Sequence, residues 1–264
     1  MRYLNENLKK KITDQALGSG RVFLLLDYDG TLAPIVARPE LAKLREPVRR
    51  LLNKLVNQRG ISIGIITGRT IREMKSIIHL KKMIYAGNHG LELEGPDFSY
   101  THAKAKRYRG ILKKIAAELK PLSKSFPRTF LEDKGVTLTY HFRLLEARRA
   151  PDLKAEILKR ESLRIKKGLI KVWEAKKALE IRPNFNWDKG SAARWVLLHQ
   201  DPDCLPVYIG DDKTDESAFK ALKGRGITVK VGFDRHSSAQ YFVRSANEVG
   251  KFLSFFVRAR GRKN

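Results

Sequence analysis

The chain has 264 residues, 42% of them hydrophobic, which is enough to bury the core of one large domain or two modest ones. Its 54 Lys and Arg residues outnumber 28 Asp and Glu residues, so the formal net charge is +26. The single cysteine, Cys204, excludes an internal disulfide framework and a cysteine-rich zinc site, and we expect a cytoplasmic protein.

The positive charge could serve a nucleic acid, an anionic membrane surface or an anionic substrate, or it could be no more than a solubilising surface. No zinc-finger spacing or RNP-like aromatic signature accompanies it, and the basic residues are spread along most of the chain. The N-terminus lacks an apolar segment before a cleavage site, and no run of about 18 apolar residues occurs. We therefore expect neither export, nor a membrane span, nor a specific nucleic-acid partner.

Strand-like apolar runs recur along the chain with helix-period stretches between and around them. The strand-like runs are 22–27, 61–67, 83–88, 206–211 and 227–232, and the clearest helical stretches are 46–60, 189–200 and 214–224. This alternation predicts an α/β fold with a parallel sheet flanked by helices.

Residues 104–182 break the alternation. They read as helix, two strands, helix and two strands, with short turns between paired strands. We therefore predict an antiparallel sheet with two helices on one face, inserted into the first domain. The predicted domains are 1–103 with 183–264, and 104–182.

Four polar residues stand at the C-terminal ends of predicted core strands: Asp27, Thr67, Asn88 and Asp211. Open parallel sheets bind ligands outside the carboxyl ends of their strands. We therefore expect these four side chains to share one edge of the sheet.

Carboxylates are concentrated after two of these strands. Asp27 and Asp29 follow the first strand, and Asp211, Asp212 and Asp215 follow the fourth. An Asx turn or a helix N-terminus would explain some of them singly. Together they would concentrate negative charge at one edge, which requires a hard divalent cation with oxygen ligands, and we expect Mg²⁺.

Phosphate-binding features follow another strand. Thr67, Gly68 and Arg69 offer a hydroxyl, a glycine and backbone N–H groups at a helix start, although Thr-Gly is also a common helix entrance. Lys189 adds a cation at the start of another predicted helix, where a solvated lysine is the ordinary alternative.

In order, these groups resemble the four motifs of the haloacid-dehalogenase-like (HAD) phosphatases. The stretches "DYDGTLAPI", "ITGRT", "AGNHGLELEG", "LEDKGVTLTYHFR", "EIRPNFNWDKGSA" and "YIGDDKTDESAF" resemble the trehalose-phosphatase family, over roughly residues 20–245. The resemblance implies a HAD-like Rossmannoid core and an inserted α+β cap of the C2B type.

The resemblance also implies roles for the core residues. Asp27 would be the nucleophile, Asp29 the general acid and base, and Asp215 would orient the metal's surroundings or Lys189. The metal set would be Asp27, Asp29 through its backbone carbonyl, Asp211 and Asp212. The phosphate set would be Thr67, Gly68 and Lys189, with Arg69 serving either phosphate or structure.

Strand alternation divides "VTLTYHFR" into two faces. One face holds Val136, Leu138, Tyr140 and Phe142 and should form the cap core, and the other, holding Thr137, Thr139, His141 and Arg143, should be a polar surface. Glu180 should point outward because Leu179 and Ile181 point inward.

The resemblance makes Glu132, Lys134 and Glu180 the sugar contacts and places His141 and Arg143 on the same face. A wet sheet face with ion pairs is the alternative. Asn88 and His89 would contact substrate or brace the loop that carries Asp27.

The expected function is hydrolysis of trehalose 6-phosphate with Mg²⁺ through an aspartyl-phosphate. Another glycosyl phosphate, such as sucrose-phosphate or glucosylglycerol-phosphate, is the nearest alternative. A basic nucleic-acid-binding protein with an inactive hydrolase core is the alternative from another class, and it predicts eroded motifs. We expect a monomer, with trehalose-6-phosphate synthase as the functional partner that the resemblance suggests.

Overall fold

The computed structural model describes residues 1–36, 42–175 and 177–260. The chain divides into two units, Met1–Tyr100 with Trp187–Asn264, and Thr101–Asn186. These limits fall within a few residues of the predicted boundaries at 103/104 and 182/183.

The described strands, in chain order, are β1 (Arg2–Tyr3), β2 (Val22–Leu26), β3 (Ile61–Ile66), β4 (Ile84–Gly87), β5 (Glu92–Glu94), β6 (Ser99–Thr101), β7 (Phe130–Asp133), β8 (Leu138–His141), β9 (Ile170–Ala175), β10 (Ala178–Pro183), β11 (Leu205–Gly210), β12 (Ile227–Val231) and β13 (Tyr241–Val243). The described α-helices are α1 (Glu6–Gly18), α2 (Glu46–Val56), α3 (Ile71–Ile78), α4 (Ala103–Leu119), α5 (Leu122–Ser125), α6 (Ala150–Lys166), α7 (Lys189–Gln200), α8 (Glu216–Ala221) and α9 (Ala246–Arg260).

A large sheet organises the first unit, with strand order β1-β13-β12-β11-β2-β3-β4-β5-β6. Along this order, each strand from β1 through β13, β12, β11, β2 and β3 to β4 runs parallel to its neighbours, and β5 runs antiparallel to β4. Every residue of β2 is buried, because the strand is covered on both faces. Leu24 and Leu26 pack in one apolar cluster, and Phe23 and Leu25 in another. The predicted parallel sheet flanked by helices is confirmed.

The second unit contains an antiparallel sheet of order β7-β8-β10-β9. One face packs against α4 and α6 in a cluster that includes Leu138, Tyr140, Phe142, Leu179 and Ile181. The predicted inward face of this sheet is confirmed, and the α+β composition of the inserted unit agrees with the prediction.

Several edge elements were not predicted from the sequence. Strands β1, β5, β6 and β13 are two or three residues long, too short to show an alternating pattern.

Over the described ranges, no helix is both long and apolar enough to cross a membrane.

Candidate active site at the carboxyl edge of the parallel sheet

The four predicted edge residues lie at the ends of adjacent parallel strands. Asp211 and Asp27 follow the paired strands β11 and β2, and Thr67 and Asn88 follow β3 and β4, which continue the same sheet. The Asp27 N–H donates to the Ile209 carbonyl at 2.9 Å, so the ladder continues to the first site residue. The topology therefore brings the predicted residues to one edge.

Lys189 lies between two buried carboxylates. Its Nζ donates to Asp27 Oδ1 and to Asp215 Oδ1, each at 2.7 Å. Asp215 also accepts from the Tyr208 hydroxyl at 2.7 Å and from the Asp212 N–H at 2.9 Å. Lys189, Asp27 and Asp215 are all more than nine-tenths buried. This is a desolvated charge network, whose interactions are stronger than they would be in water.

Local sequence explains how Lys189 reaches this position. It is the first residue of α7, and Asp188 caps that helix by accepting from the Ser191 N–H at 2.8 Å. Gly190 then lets α7 approach α8, because a Cβ at this position would collide with the Ser217 backbone. A cation thus enters the site from a helix N-terminus, held there by packing and by its two carboxylate partners.

Acidic charge exceeds basic charge around Asp27. Burial raises the pKa of Asp27 well above its usual range, Lys189 opposes that shift, and Asp215 and Asp211 reinforce it. For Lys189, burial alone would lower the pKa, but Asp215 and Asp27 outweigh burial and raise it. Lys189 therefore stays charged, and one ammonium faces a surplus of carboxylates.

The carboxylates are arranged as a cation would require. Oxygens of Asp27, Asp211 and Asp215 lie within 4.8 Å of one another. Gly30, at φ +84°, leaves room for this group, since a Cβ there would collide with the Asp211 carboxylate. Hard oxygen donors in a pocket with excess negative charge fit Mg²⁺.

The described geometry groups Asp27 and Asp211 with Asp215, rather than with the side chains of Asp29 and Asp212. Asp212 Oδ1 accepts from the Lys213 N–H at 2.8 Å. Because Asp215 already accepts three hydrogen bonds, its position suits the orientation of Lys189. The metal set inferred from the sequence stays a prediction.

Arg69 holds Asp29 in a bidentate ion pair. Nε donates to Asp29 Oδ2 at 2.7 Å and Nη2 to Oδ1 at 2.8 Å. The guanidinium is nearly buried and lies 5.4 Å from the centre of the Tyr28 ring. The sequence did not decide whether Arg69 binds phosphate or has a structural role. In the fold its partner is Asp29, the predicted general acid and base.

The loop after β4 is strained beside the predicted phosphate site. Asn88 and His89 both adopt left-handed backbone angles, with φ of 50° and 57°. Such conformations cost on the order of 1–3 kcal/mol each and cluster at functional sites. The His89 N–H donates to the Thr67 carbonyl at 2.8 Å, and the His89 ring lies over Gly68, where it would crowd an added Cβ. These contacts are to the Thr67–Gly68 segment and not to the loop that carries Asp27, so the predicted brace of the Asp27 loop stays a prediction.

In the cap, the predicted sugar contacts share one sheet face. The register aligns Glu132, Thr139, Glu180 and Trp173 in a row across the four strands. Glu132 Oε2 lies 2.7 Å from His141 Nε2 and 4.0 Å from Lys134 Nζ. Lys134, Glu132 and His141 thus form one polar cluster, while Arg143 lies on exposed chain after β8.

Part of this face differs from the prediction of a polar surface. Thr137 and Thr139 are buried. Thr139 is flanked in register by Glu132 and Glu180, and a short side chain between two longer ones is covered by them. Glu180 is itself only 7% exposed and accepts from Arg182 Nη2 at 2.5 Å, so it lies outward but not free in water.

Three residues that lie beside predicted site residues of their own unit were not singled out from the sequence. Tyr208 stands three residues before Asp211, and strand alternation alone does not show that its hydroxyl meets Asp215. Arg182 is the partner of Glu180. Trp173 is 54% exposed on the row of Glu180, and the alternation of "KVWEA" could have placed it there.

A parallel sheet with acidic residues at its carboxyl edge and an inserted antiparallel unit defines the HAD-like fold with an inserted α+β domain. A haloacid dehalogenase-like hydrolase from Bacteroides thetaiotaomicron has the same fold, with a TM-score of 0.64 and 15% identity over 89% of this chain and 98% of that one.

More specific similarity identifies the family. The Trehalose-phosphatase family matches residues 25–247, and the chain belongs to it. Trehalose-phosphate phosphatase B of Arabidopsis thaliana is 33% identical over 95% of this chain and 70% of its own length. The crystal structure of a trehalose-6-phosphate phosphatase related protein superposes with a TM-score of 0.80 and 26% identity, over 92% of this chain and all of that one.

Proposed function

We propose that the protein hydrolyses trehalose 6-phosphate to trehalose and phosphate, with Mg²⁺ and through an aspartyl-phosphate on Asp27. Family membership supports the substrate class. The observation that carries the chemistry is the buried Lys189 ammonium at 2.7 Å from both Asp27 and Asp215, in a pocket that also contains Asp211.

In the first step, an oxygen of Asp27 attacks phosphorus and the bond from phosphorus to the sugar oxygen breaks. Asp29 gives its proton to that oxygen. In the second step, Asp29 accepts a proton from water as the water oxygen attacks phosphorus and releases Asp27. Both oxygens of Asp29 accept from Arg69, so the ion pair must open before Asp29 can exchange protons with substrate.

Charge compensation is the main contribution of the remaining core residues. Lys189 and Thr67 would hold phosphate oxygens as charge moves during transfer. Mg²⁺, held by Asp27 and Asp211 with Asp212 and the Asp29 carbonyl, would neutralise the approach of a dianion to a carboxylate.

The cap would supply specificity. Glu132, Lys134 and Glu180 offer carboxylates and an ammonium for sugar hydroxyls, with His141 beside Glu132. Other glycosyl phosphates would use the same core chemistry and differ only in these contacts. The nucleic-acid alternative predicts eroded motifs, whereas the acidic and basic motif residues are intact.

The test is phosphate release from a panel of sugar phosphates with Mg²⁺. We expect strong preference for trehalose 6-phosphate over glucose 6-phosphate, and loss of release in EDTA. Asp27→Asn should lower turnover by at least roughly 10³-fold. Comparable rates on both sugars would contradict the disaccharide assignment, and full activity of Asp27→Asn would contradict the nucleophile.

We propose a cytoplasmic monomer whose substrate is made by a trehalose-6-phosphate synthase, with 104–182 as the specificity domain.

A further inference from the structure

Tyr208 is a buried tyrosine whose hydroxyl points into the charge network. It lies on β11 with no exposed surface, and its ring packs edge-on against Phe219 at 5.7 Å between centroids. Its hydroxyl donates to Asp215 Oδ1 at 2.7 Å. Burying a hydroxyl is costly unless it is hydrogen-bonded, and here its partner is a carboxylate rather than a backbone carbonyl.

The same carboxylate oxygen holds the predicted phosphate-binding cation. Asp215 Oδ1 accepts from both Tyr208 and Lys189, while Oδ2 accepts from the Asp212 N–H. A Cβ at Gly210 would collide with Asp215, so the carboxylate is also confined sterically. Tyr208 and Lys189 therefore compete for the charge of one buried oxygen.

We propose that Tyr208 is a positioning residue that keeps Lys189 available to phosphate, by sharing the negative charge of Asp215 Oδ1. This inference rests on the proposed function. With the hydroxyl present, Lys189 divides its attraction between Asp215 and Asp27. Without the hydroxyl, Lys189 is the one donor that the described residues offer to Asp215 Oδ1, and in a low-dielectric interior the ammonium is drawn toward Asp215.

The proposal separates Tyr208 from an ordinary packing residue. A packing role predicts that loss of the hydroxyl changes stability alone. A role through Lys189 predicts weaker binding of a phosphate-like anion and a lower kcat. The KM for the sugar phosphate should change less, because the contacts to the sugar are kept.

The main test compares Tyr208→Phe with Tyr85→Phe. Tyr85 is an equally buried tyrosine of the same sheet, and its hydroxyl donates to the Leu80 carbonyl at 2.7 Å. Both changes remove one buried hydroxyl and keep the ring. Only Tyr208 reaches the charge network, so the pair isolates the effect of its partner.

At saturating Mg²⁺, we expect the inhibition constant of orthovanadate to rise and kcat to fall by about tenfold in Tyr208→Phe, the size of one hydrogen bond to a charged group. Tyr85→Phe should leave both unchanged while losing comparable thermal stability. Equal kinetics for Tyr208→Phe, Tyr85→Phe and the unmodified protein would overturn the proposal.

Two further measurements keep the test decisive. If Tyr208→Phe does not fold, 3-fluorotyrosine at position 208 keeps the ring and strengthens the donor, so orthovanadate should bind more tightly, and unchanged binding would overturn the proposal. The affinity for orthovanadate, measured by calorimetry, does not depend on the sugar. It therefore still reports whether Lys189 is available to an anion if trehalose 6-phosphate is not the substrate.

Discussion

Replacing Lys189 by Met removes the only described ammonium within hydrogen-bonding distance of Asp27 and Asp215. The methionine has a similar length and no charge, so it can fill the volume of the lysine stem. The change leaves two buried carboxylates at positions where each had a donor at 2.7 Å.

The expected loss follows from this burial. Removing one partner of a buried ion pair costs about 3–5 kcal/mol, because the remaining charge loses its buried counter-ion. Asp27 can escape part of that cost by protonation, since burial and its acidic neighbours already raise its pKa. For a chain of this size, the loss corresponds to a fall in Tm of about 6–20 °C.

The matched control is Lys9→Met. Lys9 is also buried, but its partner Glu6 at 2.8 Å is 68% exposed, so the freed carboxylate stays in water. Its ion pair should contribute little to stability, because water screens the exposed carboxylate. Urea unfolding followed by circular dichroism, with and without Mg²⁺, measures both variants. We expect Mg²⁺ to restore part of the stability of Lys189→Met only. Equal losses for the two lysines would refute the buried network.

Three other outcomes are expected. Gly30→Ala should raise the Mg²⁺ concentration for half-maximal phosphate release by at least about tenfold, because its Cβ would collide with the Asp211 carboxylate, a proposed metal ligand. Gly20→Ala, also at positive φ but beside open space, should leave that concentration unchanged. Burial raises the pKa of Tyr85 from 10.0 to about 12, so its contribution to stability is complete below pH 10 and is lost as the pH rises toward 12. Chemical unfolding at several alkaline pH values should therefore show that the free energy of unfolding falls less steeply with pH in Tyr85→Phe. An unchanged dependence on pH would contradict this assignment. Glu180→Ala should raise the KM for trehalose 6-phosphate but not for p-nitrophenyl phosphate. Glu174→Ala, at an exposed residue of β9, should leave both KM values unchanged. Equal effects of Glu180→Ala on both substrates would contradict a sugar contact.

The sequence was informative where one rule determines the structure. The short apolar run Phe23–Leu26, bounded by turn residues, indicates a strand covered on both faces in an α/β chain, and parallel strands bring their ends to one edge. Hence Asp27 and Asp211 could be placed together although many residues separate them. In the cap, alternation gave the buried face correctly because Leu138 and Tyr140 follow a strict period of two.

The pairs that the side chains form could be identified only from the structure. Nothing in the spacing of Asp29 and Arg69 fixes a bidentate pair across 40 residues, since rotamers of both side chains decide it. Tyr208 reads as an ordinary strand residue until its hydroxyl is seen to meet Asp215. The burial of Thr139 depends on its neighbours in two other strands, and register cannot be read from one strand alone.

The charge of the whole chain and the charge of the site have opposite signs, and the difference has a physical use. A net charge of +26 attracts a phosphate dianion over distances of about a Debye length, roughly 8–10 Å. At the sheet edge the dianion meets Asp27, Asp211 and Asp215, with one ammonium already shared between two of them. Attraction at long range and repulsion at contact would give encounter without stable binding. A divalent cation in the acidic pocket would reverse the sign of the local charge, so the phosphate should bind beside Asp27, the proposed nucleophile, only when that cation is present.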